Sequence, residues 1–139
     1  MSLILNMDPN AEVWLSGSDQ AFSDTDFYGS DFKVKIKPLT RSTKSAMQRK
    51  NMSIKRGTQV TDFDGLARDV FLNNVLDWEG VKGRDANGEV REIPCDPESK
   101  KQIANLNWPF ADAIAAAIIN RLESQDKANS QLKDVELGN

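Results

Sequence analysis

A strict alternation of apolar residues and lysines over residues 32–37 is the strongest structural constraint in this sequence. The charged positions of the alternation are Lys33, Lys35 and Lys37. A period of two places successive side chains on opposite faces of a β-strand, and Pro38 ends the strand because proline cannot donate to a ladder. A glycine–serine pair just before the strand suits a two-residue hairpin loop. We therefore predict a β-hairpin of residues 22–28 with residues 31–37.

Helical patterns follow the predicted hairpin. Residues 40–52 can form a helix capped by Thr40 or Ser42. Residues 61–77 carry a broad apolar stripe behind a cap at Thr61. A stripe that broad has to be buried on more than one side, by the core or by a partner. Between these two helices, residues 53–59 contain a glycine and are predicted to form a loop.

Two turn signals organise the second half of the chain. The Asn87-Gly88 pair predicts a small exposed hairpin, because a type I′ turn needs positive φ at both central positions. The Asp96-Pro97 pair predicts the start of a short helix, with aspartate as the cap and proline at the first helical position. A last, alanine-rich helix is predicted over residues 109–124.

These elements predict an α+β fold, with an N-terminal β-hairpin, three to four helices and the small Asn-Gly hairpin between helices. A chain of 139 residues is the size of one domain, which we place at residues 1–123. Residues 124–139 are polar, and we expect a loosely ordered tail. No apolar run approaches a membrane span and no secretory signal is evident, so we expect a cytoplasmic protein.

The chain contains no histidine and a single cysteine, Cys95. These counts exclude histidine-dependent triads, Cys–His nucleophiles and histidine or multi-cysteine zinc sites. Phosphate-binding glycine-rich loops are also absent from the sequence. We therefore expect no enzymatic activity, no metal and no cofactor.

Charge is divided into blocks although the net charge is only −3. Residues 1–32 carry six acids and no base, whereas residues 33–57 carry nine bases and no acid. Beyond the three strand lysines, the bases that we regard as candidate binding residues are Arg41, Lys44, Arg49 and Lys50. Such a block fits a protein-partner surface, a solvated face or a nucleic-acid site. Nucleic acid is the least favoured partner, because the block lacks aromatic residues for base stacking.

A family resemblance emerges from the order of motifs in residues 71–119. A helix runs into the sequence DWEGV at residues 77–81, and the Asn-Gly turn and a Pro-Cys-Asp-Pro-Glu helix start follow. The last helix then opens with Trp108-Pro109-Phe110. This order, together with the lysine-rich strand upstream, resembles small tail assembly chaperones of tailed bacteriophages and prophages over about residues 32–122.

The resemblance implies a non-enzymatic protein of the bacterial host cytoplasm. Members of that family bind the long tape-measure protein and help tail-tube subunits to assemble around it. Self-association into a homo-oligomer would also cover surplus apolar surface. The open alternatives are another phage structural protein, such as a head–tail connector or tail terminator, and a small nucleic-acid-binding regulator that uses residues 33–57.

Three aromatic residues are further candidates for the partner site, namely Trp78, Trp108 and Phe110. Trp78 has two interpretations, since it can cover the end of the preceding helix or serve as an exposed hot spot. The first interpretation makes it a core residue, and we favour it.

Overall fold

The structure, a computed structural model, describes residues 3–4, 8 and 11–137, with side chains described through Ser124. Three strands form an antiparallel sheet, namely β1 (Val13–Ser16), β2 (Lys33–Ile36) and β5 (Val75–Glu79). Their order in the sheet is β1-β2-β5. Two separate hairpins pair β3 (Met52–Lys55) with β4 (Thr58–Thr61), and β6 (Lys82–Arg84) with β7 (Val90–Glu92).

Four α-helices accompany these strands in the described part of the chain. They are α1 (Arg41–Lys50), α2 (Phe63–Asn74), α3 (Pro97–Leu106) and α4 (Trp108–Leu137), and a short 3-10 helix spans Gln20–Phe22. The predicted α+β class is confirmed, including the hairpin at the N-terminus and the helices that follow it.

The N-terminal hairpin has a different first strand from the one predicted. β2 pairs with β1, whereas residues 22–28 form a loop. A side chain in that loop bonds to nearby backbone in place of a strand ladder: Thr25 Oγ1 donates to the Phe22 carbonyl at 2.7 Å. Phe22 is fully buried, so the loop contributes core rather than a sheet edge.

The core lies between the inner face of the sheet and helices α2 and α4. Val34 and Ile36 of β2 are fully buried, and so are Phe71 of α2 and Ile114 of α4. Small residues on α4, such as the fully buried Ala115, let the helix backbones approach closely. The broad apolar stripe of α2 is therefore covered largely within the chain.

Helix α2 ends three residues earlier than predicted, and β5 follows it without a loop. Asn74 ends the helix by a reciprocal tie to Lys37: its Nδ2 donates to the Lys37 carbonyl at 3.0 Å, and the Lys37 N–H donates to its carbonyl at 2.8 Å. Pairing of Val75 with Ile36 then draws the chain into the sheet. Asp62, not the predicted Thr61, caps the start of α2 by accepting from the Gly65 N–H.

The type I′ turn occurs in a different hairpin from the one predicted. Arg56 and Gly57 have φ values of 53° and 79°, and they join β3 to β4 across residues predicted as a loop. In the β6–β7 hairpin only Gly88 has positive φ, because the Asp85 carboxylate accepts from the N–H groups of Asn87 and Glu89 and holds a longer loop. The predicted hairpin at Asn87-Gly88 itself is confirmed.

The two C-terminal helices begin close to where the sequence indicates. Asp96 caps α3 by accepting from the Ser99 N–H at 2.7 Å, with Pro97 at the first position as predicted. Helix α4 begins at Trp108, and its backbone is helical to Leu137, well past the predicted end at residue 124. Whether residues 124–139 are loosely ordered stays a prediction.

Candidate partner-binding surface

Residues 40–61 form an insertion between β2 and α2, which we call the helix–hairpin arm. The arm consists of α1 and the β3–β4 hairpin. None of its residues is buried, and residues 52–60 are all exposed. The arm therefore adds little to the hydrophobic core, although it contains 22 of the 139 residues (61 − 40 + 1 = 22).

Asn51 anchors the arm at the point where α1 meets the hairpin. Its Nδ2 donates to the Asp69 Oδ2 of α2 at 2.9 Å and to the Met47 carbonyl of α1 at 2.8 Å. Its own carbonyl accepts from the Asp62 N–H at 2.8 Å, where the chain leaves the hairpin. Asp69 is buried, so the bond from Asn51 Nδ2 compensates its carboxylate for lost water. The base of the arm is thus held in a defined position against α2.

Two ion pairs add to this attachment. Lys44 Nζ lies 3.5 Å from Glu123 Oε1 of α4, and Lys50 Nζ lies 3.6 Å from Asp69 Oδ2. The Lys44–Glu123 pair is partly open to solvent and contributes about 0–1 kcal/mol. The Lys50–Asp69 pair joins an exposed ammonium to a buried carboxylate. Arg49, at the end of α1, and Lys55 and Arg56, at the far end of the hairpin, are exposed. Because residues 33–61 contain no acid, the arm presents a positive surface.

The arm also carries exposed apolar side chains. Ile54 is 73% exposed, and Met52 and Val60 are exposed as well. Phe63, the first residue of α2 after the hairpin, is 70% exposed. Met52 and Ile54 share one face of the hairpin, and Val60 lies on the other face with Lys55. Exposed apolar side chains next to positive charge are typical of a surface that contacts another protein. The charge pattern of the sequence predicts only the basic residues of this surface. Ile54 was missed because residues 53–59 are predicted to form a loop.

The structure divides the predicted basic residues between two places. Lys33 and Lys35 lie on the outer face of the three-stranded sheet, where they pair with Glu79 at 3.3 Å and Glu12 at 2.5 Å. Both also lie over the ring of Trp14, with Lys33 Nζ 4.8 Å and Lys35 Nζ 5.9 Å from its centroid.

The other predicted basic residues belong to the arm or its base. Lys37 lies at the base of the arm, and the other four are on α1. These four are Arg41, Lys44, Arg49 and Lys50.

The predicted aromatic residues do not join the arm. Trp78 lies on β5 and is only 6% exposed, and its Nε1 donates to the Ile93 carbonyl at 2.6 Å. The structure thus places Trp78 in the core, as the favoured interpretation has it, and not on a partner-accessible surface. Trp108 and Phe110 are half-buried at the start of α4. Phe110 packs edge-on against Phe27, with ring centroids 5.4 Å apart.

Phe110 borders an open groove of about 750 Å³ between the β6–β7 hairpin and α3. The groove has an aromatic and aliphatic floor that includes Phe27 and Ile103. Its rim mixes both signs of charge, and Arg91 is paired within its own hairpin to Glu89 at 2.7 Å. The groove therefore lacks the single sign of charge that distinguishes the arm.

The single cysteine, Cys95, is half-buried. Burial raises the pKa of the Cys95 thiol, with Asp77 and Asp96 raising it further against an opposing effect of Lys100. A raised pKa keeps the sulfur protonated and a poor nucleophile at neutral pH. Within the described residues, no group of three or more acidic, cysteine or histidine side chains could hold a metal ion.

Comparison with known proteins identifies no relative. No family model, curated protein or solved structure matches the chain. Among the residues that the structure describes, no helix is both long and apolar enough to cross a membrane.

Proposed function

We propose that this protein is a non-enzymatic tail assembly chaperone of a tailed phage or prophage, which acts by binding the tape-measure protein in the host cytoplasm. The family comes from the motif resemblance over residues 32–122, and tail-tube subunits are the further partners that it implies. The observation that carries a binding role is the helix–hairpin arm. The arm is positively charged, is anchored to α2 through Asn51, and has exposed apolar side chains and no buried residue.

A binding role explains the arm better than a stabilising one does. Ordering a residue costs about 1–2 kcal/mol of backbone entropy, and burial of apolar surface is the main compensation. The arm buries little apolar surface of its own. A partner that covers Ile54, Met52 and the neighbouring Phe63 supplies the missing burial.

Co-expression with a fragment of the tape-measure protein from the same genome tests the proposal. The two chains should co-purify, and the double variant K55E/R56E should retain less than a tenth of the bound fragment. The matched control is K82E/R84E, which reverses two charges on the β6–β7 hairpin and should bind like the wild type. Separation of the two folded wild-type chains at low salt would refute the proposal.

A further inference from the structure

The β3–β4 hairpin is a two-stranded sheet with two open edges. Neither strand belongs to another sheet, and residues 52–60 are exposed on both faces. A two-stranded hairpin is marginally stable in water, and an exposed edge is a template for a further strand. A partner that added a third strand would satisfy backbone groups that face only solvent in the protein alone.

The register identifies the backbone groups that point outward. The two-residue turn makes Lys55 and Thr58 a hydrogen-bonded pair. At the base of the hairpin the Asp62 N–H donates to the Asn51 carbonyl, so that pair is hydrogen-bonded too and the same alternation holds along the whole hairpin. Hydrogen-bonded and outward-facing positions alternate along an antiparallel strand. Met52 and Ile54 therefore direct their N–H and carbonyl groups away from β4. On β4 the corresponding outward position in the middle of the hairpin is Gln59.

The side chains distinguish the two edges. Beside the edge of β3, Met52 and Ile54 share one face and Lys55 lies on the other. A strand that pairs with this edge meets Met52 and Ile54 on one face, and Ser53 and the positively charged Lys55 on the other. The arm of a second copy carries the same charges and is repelled, because residues 33–61 contain no acid.

We propose that the outer edge of β3 binds an extended segment of a partner protein, one that alternates apolar and acidic residues, by β-strand addition. The apolar residues of the segment lie beside Met52 and Ile54, and the acidic ones lie beside Lys55. This inference rests on the proposed binding role of the arm and adds the mode of contact and the chemistry of the segment.

A nine-residue peptide that alternates valine and glutamate is the probe, with amide NMR of the full-length protein as the measurement. We expect binding with slowed exchange at the Met52 and Ile54 N–H groups. The variant I54P removes one outward N–H and should weaken binding at least tenfold. Q59P makes the same change at the opposite edge and should stay within twofold of the wild type, and I54A, which keeps the N–H, shows how much the side chain contributes.

A second measurement uses unaltered protein. N-methylation of the peptide at residues facing β3 should abolish binding, whereas N-methylation at residues facing away should not. The inference is overturned if the peptide does not bind, if I54P and Q59P lose the same amount of peptide affinity, or if the position of N-methylation makes no difference to binding. A change of oligomeric state in I54P without peptide binding would assign the edge to a second copy, which also overturns it.

The tape-measure fragment separates this inference from the proposed function. If the fragment binds wild-type protein and I54P equally, strand addition at β3 is refuted and the chaperone function stands. If the fragment binds neither protein, the chaperone function is refuted, and the peptide result still decides whether the β3 edge accepts a strand.

Discussion

Replacement of Trp78 by alanine is expected to remove a large part of the stability of the domain. The side chain is 6% exposed on the inner face of β5, opposite Val34 of β2. Truncation of a buried tryptophan to alanine costs about 3–5 kcal/mol, which includes the transfer of apolar atoms and the cavity left behind. The Ile93 carbonyl also loses the indole N–H that it accepts at 2.6 Å. Since domains are stable by roughly 5–15 kcal/mol, the loss is a large share of the total.

Trp14 provides the matched control. It lies on β1 and is 41% exposed on the outer face of the same sheet, with Lys33 Nζ 4.8 Å from its ring centroid. An exposed cation–π contact contributes about 0.5–1 kcal/mol, so W14A should cost about 1 kcal/mol. Urea unfolding followed by far-UV circular dichroism measures both variants. Equal free energies of unfolding for W78A and W14A, or a W78A loss below about 1 kcal/mol, would refute the core assignment of Trp78.

Three further predictions concern the base of the arm, a helix cap and nucleic acid. N51A leaves the buried Asp69 carboxylate without its amide donor and should cost about 1–3 kcal/mol in urea unfolding; no loss would contradict the anchoring role. Hydrogen bonds from Ser99 lower the pKa of Asp96 below its usual value of 3.8. The ionised Asp96 therefore stabilises the folded protein at pH values above 3.8, and this contribution is lost as the pH falls through the lowered pKa. D96N should therefore lack that acid-induced loss, and parallel stability profiles for the two proteins would contradict the cap. Duplex DNA should bind only weakly and salt-sensitively, and sub-micromolar sequence-specific binding near physiological salt would favour the regulator instead.

Local signals in the sequence predicted several elements correctly. The alternation that defines β2 and the Asp96-Pro97 start of α3 depend on residues within a few positions of each other, and so does the cap of α1, for which Thr40 was one of two candidates. The fold class follows from the order of these elements. Each of these features would be recognisable in an isolated segment, because its cause lies in neighbouring residues.

The errors arise where distant residues decide the structure. Helix α2 ends at Asn74 because that residue is tied to Lys37, which lies 37 positions earlier in the chain. The β3–β4 hairpin escaped prediction because Arg56 takes a positive φ that arginine seldom adopts. A weaker signal was present in the β-branched and alternating residues on both sides of Gly57. The candidate site was therefore only half predicted: its charge was recognised and its strand geometry was not.

Hydrogen exchange with mass spectrometry, on the protein alone and on its complex with the tape-measure fragment, would locate the partner contact on the chain. We predict that the fragment slows exchange in peptides covering residues 41–61, with the largest effect in the β3–β4 hairpin. Peptides covering the β6–β7 hairpin, residues 82–92, should exchange at the same rate in both samples. Protection confined to residues 82–92 and α3, with none in the helix–hairpin arm, would refute the arm as the binding site and move the partner site to the groove beside Phe110.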